Sequence, residues 1–527
     1  MASLQTNRRL GVFLQYTQMA IGILINLIYT PIMINILGKN EYGIYSSVAS
    51  IISYLNIFSL GFNATYIKFY SKYKKNNDED GIKKLNTLYL SVFCILGTIV
   101  FICGMLLTNN VSIMYNETYS AADLELAKKL MFLLTINLTI SFPASLFTSY
   151  ISSQERFIFQ KLISTGRTII SPMMNIILLY SGFGSLGLVV TTTTISILVD
   201  IINITFCFTK LKMRFKLGKI ESGLGKELFV FTFFIAINQI IDQINWQTDK
   251  IILGKMINST AVAVYSVAST INSMYIHFST AISYIYTPTI HKIYTANDPP
   301  EKINENLTKV FIDVGRVQFF ILMLILTGFI FFGQYFLKIW MGHEYTNSEL
   351  SVIYTLCLLL MASSTVPLIQ NLGIEIQRAK DKHKFRSIVY LIVAILNVAL
   401  SIFFCYKWGV IGVTVGTLFS NITGTFIIMN IYYHKKVDIN IPKFWKEIGK
   451  ATLGMIPAIL IGVLIMLFVN ITNIFMFFAL VVVYAISYLI SIYFFSFNKN
   501  EKNFINGILK FIKKIFIKPK KEVAWKN

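Results

Sequence analysis

Apolar residues in this chain come in long uninterrupted runs, not in the spacing of a soluble helix that buries one face. About fourteen runs recur, each about 20 residues or longer, enough to cross roughly 30 Å of hydrocarbon as a helix. They cover approximately 10–37, 43–66, 85–107, 130–152, 158–181, 186–209, 228–253, 260–290, 310–333, 350–373, 387–406, 409–433, 451–470 and 473–496. The pattern predicts an all-α, polytopic membrane protein with about fourteen transmembrane helices. The first run is too long for a signal-peptide core and lacks a small-residue cleavage pattern after it, so it reads as a retained span.

The segments between runs alternate in charge. With a cytoplasmic amino terminus, one side collects Arg8 and Arg9, the lysines from Lys68 to Lys84, Arg156 to Arg167, and Lys210 to Lys226. It continues with Lys292 to Lys309, Arg378 to Arg386, and Lys435 to Lys450. The other side keeps only Lys39, Lys128, Lys129, Lys250, Lys255, Lys338 and Lys407. Lysine and arginine concentrate on cytoplasmic loops. Both termini are therefore expected in the cytoplasm.

Composition agrees with the run pattern. Hydrophobic residues make up 55% and charged residues 14%, against about 25% charged in soluble domains. The net charge of +22 follows from the basic loops and draws the chain toward anionic lipid headgroups, with no nucleic acid as partner. Cys94, Cys103, Cys207, Cys357 and Cys405 lie in or at the ends of separate runs, without metal-ligand spacing, so neither a disulfide framework nor a metal site is expected.

One phrase is written twice. Ile36-Leu37-Gly38-Lys39 precedes Tyr45-Ser46 and Val48-Ala49-Ser50; Ile252-Leu253-Gly254-Lys255 precedes Tyr265-Ser266-Val267-Ala268-Ser269. The copies end spans 1 and 7. An even number of spans between them predicts two parallel six-helix lobes, the repeat type related by an axis along the membrane normal. The expected divisions are 1–214 (spans 1–6), 215–436 (spans 7–12), 437–497 (spans 13 and 14) and a tail over 498–527. In the tail, Phe504, Ile508, Ile512 and Ile515 keep helical spacing between lysines, which predicts a basic amphipathic helix at the cytoplasmic interface.

Charges inside a span cost about 2.5–3.5 kcal/mol each on insertion scales, so their positions are candidates for function. Asn238, Asp242, Asn245 and Asp249 fall on one face of span 7, flanked by Gln239, Gln243 and Gln247. Span 1 carries Gln15, Gln18, Gly22 and Asn26. Aligning Gly38 with Gly254 sets Asn26 against Asp242. The stripe predicts a hydrated cavity for a polar substrate, lined by Gln18, Asn26, Asn238, Asp242, Asn245 and Asp249; interhelical hydrogen bonding is the competing explanation. Asp242 is also a candidate for ion coupling, and Asp249 sits where it can snorkel to the interface. Lys68, Arg167, Arg316 and Arg378 are candidates for receiving an anionic headgroup, since arginine suits phosphate. The pairs Asp313/Arg316 and Glu375/Arg378 can equally be local partners. No catalytic motif, cofactor loop or large external domain is present, so an enzyme is not expected.

The stretch from Tyr29 to Tyr73 resembles the amino-terminal signature of Wzx-type polysaccharide and oligosaccharidyl-lipid flippases. It includes Leu37-Gly38, Glu41-Tyr42-Gly43-Ile44-Tyr45 and Ser59-Leu60-Gly61-Phe62, and Lys68 stands where members often carry arginine. These flippases belong to the superfamily of multidrug, oligosaccharidyl-lipid and polysaccharide exporters. Asp249-Lys250 through Gly254 to Tyr265, and Pro288, resemble its second-half signature. The resemblance implies alternating-access transfer of an undecaprenyl-diphosphate-linked oligosaccharide repeat unit across the bacterial cytoplasmic (inner) membrane, for O-antigen, capsule or exopolysaccharide. It implies a lipid-linked oligosaccharide and membrane lipids as partners, with polysaccharide polymerase and assembly proteins beside them, and no cofactor. A cation-coupled multidrug exporter of the same fold is the alternative, although span 1 lacks an acidic residue. A membrane glycosyltransferase or polymerase, or a scaffold of glycan assembly, comes after it.

Overall fold

The computed structural model describes residues 2–59, 61–218, 224–382, 384–498, 501 and 502, and excludes in addition the side chains of 2–16, 224–235, 238 and 284. The expected amphipathic tail helix and the Asn238 side chain lie outside the described residues.

Every regular element described is helical. In chain order these are α1 (Ala2–Tyr54), a 3₁₀ turn (Leu55–Ser59), α2 (Phe62–Lys75), α3 (Glu79–Asn109), α4 (Val111–Tyr115), α5 (Ala121–Ser153), α6 (Phe157–Tyr180), α7 (Gly184–Thr209) and α8 (Leu224–Met256). Then come α9 (Ser259–Tyr294), α10 (Pro300–Met341), α11 (Asn347–Ile369), α12 (Leu372–Ala379) and α13 (Lys384–Asn421). A π-helical segment (Ile422–Met429), α14 (Asn430–Lys435), α15 (Ile441–Leu453), α16 (Ile456–Phe468) and α17 (Ile474–Phe495) complete the chain. Among the described residues nine helices are long and apolar enough to cross a membrane. Helices cover all the expected runs.

Several joints differ from the expectation. Spans 1 and 2 share α1 and spans 11 and 12 share α13, each pair joined at one glycine with left-handed φ, Gly38 (φ 71°) and Gly409 (φ 59°). No atom lies within 4 Å of a Cβ built at Gly38, so backbone conformation, not space, requires glycine there. Span 2 does not run unbroken to 66: it passes through the 3₁₀ turn and restarts at α2 after Gly61. Span 13 is a bent pair, α15 and α16 meeting at 45°.

The chain divides into two compact units: Met1–His277 with Leu337–Pro367 and Asp381–Met429, and Phe278–Phe336 with Leu368–Lys380 and Asn430–Asn527. Within the first, α3 shows how an apolar run packs. Leu85, Tyr89, Phe93, Gly97, Val100 and Gly104 are buried against α5, while Ile95, Ile99, Ile102 and Leu106 stay exposed, as a lipid-facing surface requires. An aromatic chain of Tyr66, Tyr70, Tyr89, Phe93 and Tyr150 fills the space between α2, α3 and α5.

In the second unit, α15 buries Ile441, Phe444, Ile448 and Ala451 on one face and leaves Lys443, Lys446 and Lys450 exposed. Phe444 packs on Phe311 of α10 at 4.9 Å between ring centroids. The Tyr484 hydroxyl of α17 donates to Thr327 Oγ1 of α10 at 2.7 Å.

Candidate functional site

α8 carries most of the intramembrane polarity, and its main partners in the first unit are α1 and α13. On the α1 side the flanking amides are spent on packing. Ser53 donates to Gln243 Oε1 and Ser59 to Gln239 Oε1, each at 3.2 Å, and Tyr54 shares a hydrogen bond with Thr248. Interhelical bonding therefore accounts for Gln239 and Gln243.

The expected stripe does not share one environment. Asp242 is exposed, Asn245 is half-buried, and Asp249 is 3% exposed. Asp249 does not snorkel. Tyr265 OH donates to its Oδ2 at 2.7 Å, Thr417 Oγ1 to the same oxygen at 3.1 Å, and Ser401 Oγ approaches Oδ1 at 3.4 Å. Ser401 Oγ also lies 3.0 Å from Asn397 Oδ1 and 3.2 Å from the Val413 carbonyl, so its single proton is shared among three acceptors. This knot ties α8 to α9 and to both limbs of α13 around Gly409. Asp242, two turns away, has no hydrogen bond or ion pair among the described residues; Arg386 of α13 lies within electrostatic reach of it.

The remaining candidates are distributed as follows. Gln18 is half-buried and accepts from Ser164 of α6 at 3.0 Å, whereas Asn26 is exposed. Lys68 is exposed on α2, 5.3 Å from the Phe69 ring centroid. Arg167 donates to Ser196 Oγ at 2.8 Å and acts electrostatically on Asp200, one turn further along α7. Within the second unit, Arg378 is 60% exposed and pairs with Glu375 at 2.6 Å, the local partnership its spacing allows. Arg316 is 2% exposed and does not pair with Asp313. Its Nε donates to Glu501 Oε1 at 2.8 Å, Nη2 to Glu501 Oε2 at 3.0 Å and to the Ser496 carbonyl at 2.7 Å, and Nη1 to the Glu447 carbonyl at 3.0 Å and, at 3.4 Å, to Glu447 Oε2. A guanidinium so fully engaged has no donor left for a headgroup.

The helix ends remote from the amino terminus form a second polar cluster, and here the two copies of the repeated phrase meet. Lys39 Nζ lies 2.6 Å from Glu349 Oε1 at the start of α11. Asn40 Nδ2 donates to Asp123 Oδ1 at 3.0 Å and its Oδ1 accepts from Ser259 Oγ. Thr118 Oγ1 donates to the Gly254 carbonyl at 2.8 Å. The two glycines of the phrase do different work: Gly38 turns the chain, while Gly254 admits Ser47 Oγ and Tyr115 Cε1 to within 2.9 Å of where a Cβ would stand. Tyr115 and Tyr119 stack there at 4.6 Å, and burial pushes the Tyr119 phenol up to about 12. The signature residues Glu41 and Gly43 also serve this joint. Glu41 Oε1 accepts from the Ser185 backbone N–H at 2.6 Å, at the start of α7, and a Cβ on Gly43 would sit 1.9 Å from the Ser259 carbonyl oxygen.

Sequence reasoning missed Arg386, the hydroxyls of the Asp249 knot and Glu349. The available signals were weak: an Arg386/Tyr390 pair at i, i+4, and small polar residues at Asn397, Ser401 and Thr417 inside apolar runs.

Comparison with known proteins adds to this geometry. The family described as polysaccharide biosynthesis protein matches residues 32–350. A putative O-antigen transporter of Shigella flexneri is 22% identical over 398 residues, 72% of this chain and 86% of that protein. The fold is similar to the lipid II flippase MurJ in an inward closed conformation, with TM-score 0.70 and 16% identity over 97% of this chain and 100% of that one. It is also similar to an inward-facing multidrug resistance MATE family transporter, with TM-score 0.66 and 13% identity over 82% and 99%.

Proposed function

The chain belongs to the polysaccharide biosynthesis protein family, and from that premise we propose that it is a flippase. Its cargo on this reading is an undecaprenyl-diphosphate-linked oligosaccharide repeat unit, moved across the bacterial cytoplasmic membrane by alternating access between lobes 1–214 and 215–436. Spans 13 and 14 stand outside the repeat, and both termini lie in the cytoplasm.

The observation that carries this reading is Asp242. A carboxylate within a membrane helix, exposed and unspent on hydrogen bonds or ion pairs among the described residues, is too costly to face lipid. It faces water, and water at that depth means a pathway. Hydroxyl-rich sugars suit such a surface, with the accessible amides Asn26 of α1 and Asn245 of α8 as candidates for further contacts. Asp242 is also the candidate for coupling, since one charge crossing 100 mV yields about 2.3 kcal/mol. With the amino terminus inside, the Lys39–Glu349 joint lies at the outer end, and on this reading the site receives its cargo from the cytoplasm, where that cargo is assembled.

The test is chemical. Deleting the gene is expected to accumulate a diphosphate-linked glycan in the inner leaflet, identified by mass spectrometry of extracted lipids. Normal arrival of that glycan at the outer face, with no substituting transporter, refutes the proposal. The likeness to a multidrug transporter favours a second reading, drug export; changed resistance to cationic dyes with intact glycan would select it.

A further inference from the structure

Two arginines in the apolar helices are treated in opposite ways. Arg316 is buried and every guanidinium nitrogen has a protein acceptor. Arg386, two residues into α13, is half-buried, and its guanidinium carbon lies 4.5 Å from the Tyr390 ring centroid. Its Nε is buried without an acceptor, and none of the described residues accepts from its other nitrogens. Asp242 on the adjoining α8 lies within its electrostatic reach, yet the two do not close into an ion pair.

We propose that Arg386 and Asp242 are the two poles of one ligand site, Arg386 binding a phosphate of a lipid diphosphate and Asp242 accepting from hydroxyls of the sugar attached to it. This rests on the flippase reading and names the residues that hold its cargo. Leaving the buried Nε–H of a guanidinium unmet costs free energy, and nearby opposite charges ordinarily remove that cost by pairing. Here they are held apart. Stacking on Tyr390 fixes the plane of the guanidinium, and the planar fork matches two phosphate oxygens at once. The carboxylate is acceptor-only and so suits sugar hydroxyls. Order along the helices agrees as well: Arg386 stands at the start of α13, and Asp242 lies seven residues before Asp249, which meets Ser401 fifteen residues further along α13. A lipid diphosphate entering from that end leads with its sugar.

The experiment measures binding of two probes, undecaprenyl diphosphate and an undecaprenyl-diphosphate-linked monosaccharide, to the full chain in nanodiscs. Arg386→Ala is expected to weaken both at least tenfold, the loss of a charge-assisted phosphate contact. Asp242→Asn is expected to weaken only the sugar-bearing probe. Unchanged binding of both probes by Arg386→Ala overturns the proposal, as does equal loss of both in Asp242→Asn. If Arg386→Ala does not fold, Arg386→Lys carries the test: a point charge lacking the fork is expected to lower the preference for diphosphate over undecaprenyl monophosphate at least threefold, and an unchanged preference overturns the assignment. Failure of the unaltered protein to bind either probe overturns the substrate reading itself, a result distinct from binding that ignores Arg386.

Discussion

Lys39 and Glu349, 310 positions apart in the chain, meet at 2.6 Å where the first helix turns at Gly38. Glu349 is held for that contact, because its other oxygen accepts from the Thr346 backbone N–H and hydroxyl at 2.8 and 3.0 Å. The pair joins the first copy of the repeated phrase to the start of α11, and Asn40 and Ser259 join it to the second copy.

If this joint is the outer closure of a transporter, holding it shut stops transport. A chain lacking native cysteines, with Lys39→Cys and Glu349→Cys bridged by a thiol crosslinker, is expected to move no cargo in reconstituted vesicles and to recover on cleavage of the linker. Full transport while crosslinked would show that transport does not require this joint to open and would overturn its role as the outer closure. The ion pair itself is modest: both side chains are partly exposed, so its loss is expected to shift the closed population by about 0.2–1 kcal/mol.

Asp242 and Asp249 share a helix and are expected to fail differently. Asp249→Ala strips the acceptor from Tyr265 and Thr417 inside the bundle, and should cost roughly 2–4 kcal/mol, read as a lower thermal midpoint in detergent. Asp242→Ala removes a group with no such partners and should leave that midpoint in place while abolishing transport. Equal melting losses in both variants would make Asp242 a structural residue.

The contrast marks how far the sequence could be read. Apolar runs announce their helices because a helix satisfies its own backbone in hydrocarbon, so the helical runs were legible, while the joints at Gly38, Gly61 and Gly409 and the bend between α15 and α16 were not. A joint made by one glycine leaves no loop to see. Asp242 and Asp249 look alike in sequence, since both sit on one face of one helix. What separates them is Ser401 and Thr417, 152 and 168 positions away. Ordinary hydroxyl residues give no sign of which carboxylate they will meet. Arg316 was misjudged for the same reason: its acceptors come from residues 447, 496 and 501.

The repeated glycines make a separable prediction. Gly38→Ala forces a side chain into left-handed backbone and should cost about 1–3 kcal/mol of strain that no neighbouring substitution relieves. Gly254→Ala collides with Ser47 and Tyr115. Adding Ser47→Ala, which deletes the nearest atom, should recover part of the loss at 254 and nothing at 38. A double-mutant cycle on thermal midpoints reads the difference; equal rescue at both sites would mean the two glycines act alike.

Arg316 decides between headgroup binding and architecture. Five hydrogen bonds at 3.0 Å or less take up its guanidinium and the Glu501 carboxylate: four from Arg316, and one from the Asn498 backbone N–H to Glu501 Oε2 at 2.8 Å. Removing one partner of a buried pair leaves the other charge uncompensated, so Arg316→Ala should cost about 3–5 kcal/mol. Arg316→Lys cannot reproduce the two-pronged contact with Glu501 and should recover little. Both variants should expose the chain beyond Phe495 to limited proteolysis, because the clamp holds the Ser496 carbonyl and Glu501 to α10. The discriminating variant is Glu501→Gln, which keeps Arg316 and its charge but weakens the clamp. If Arg316 serves architecture, Glu501→Gln loosens the same segment to a smaller degree, and the transport rate falls only as far as stability does. If Arg316 instead served a headgroup, freeing it from Glu501 would strengthen binding of undecaprenyl diphosphate, and that increase would overturn the structural assignment.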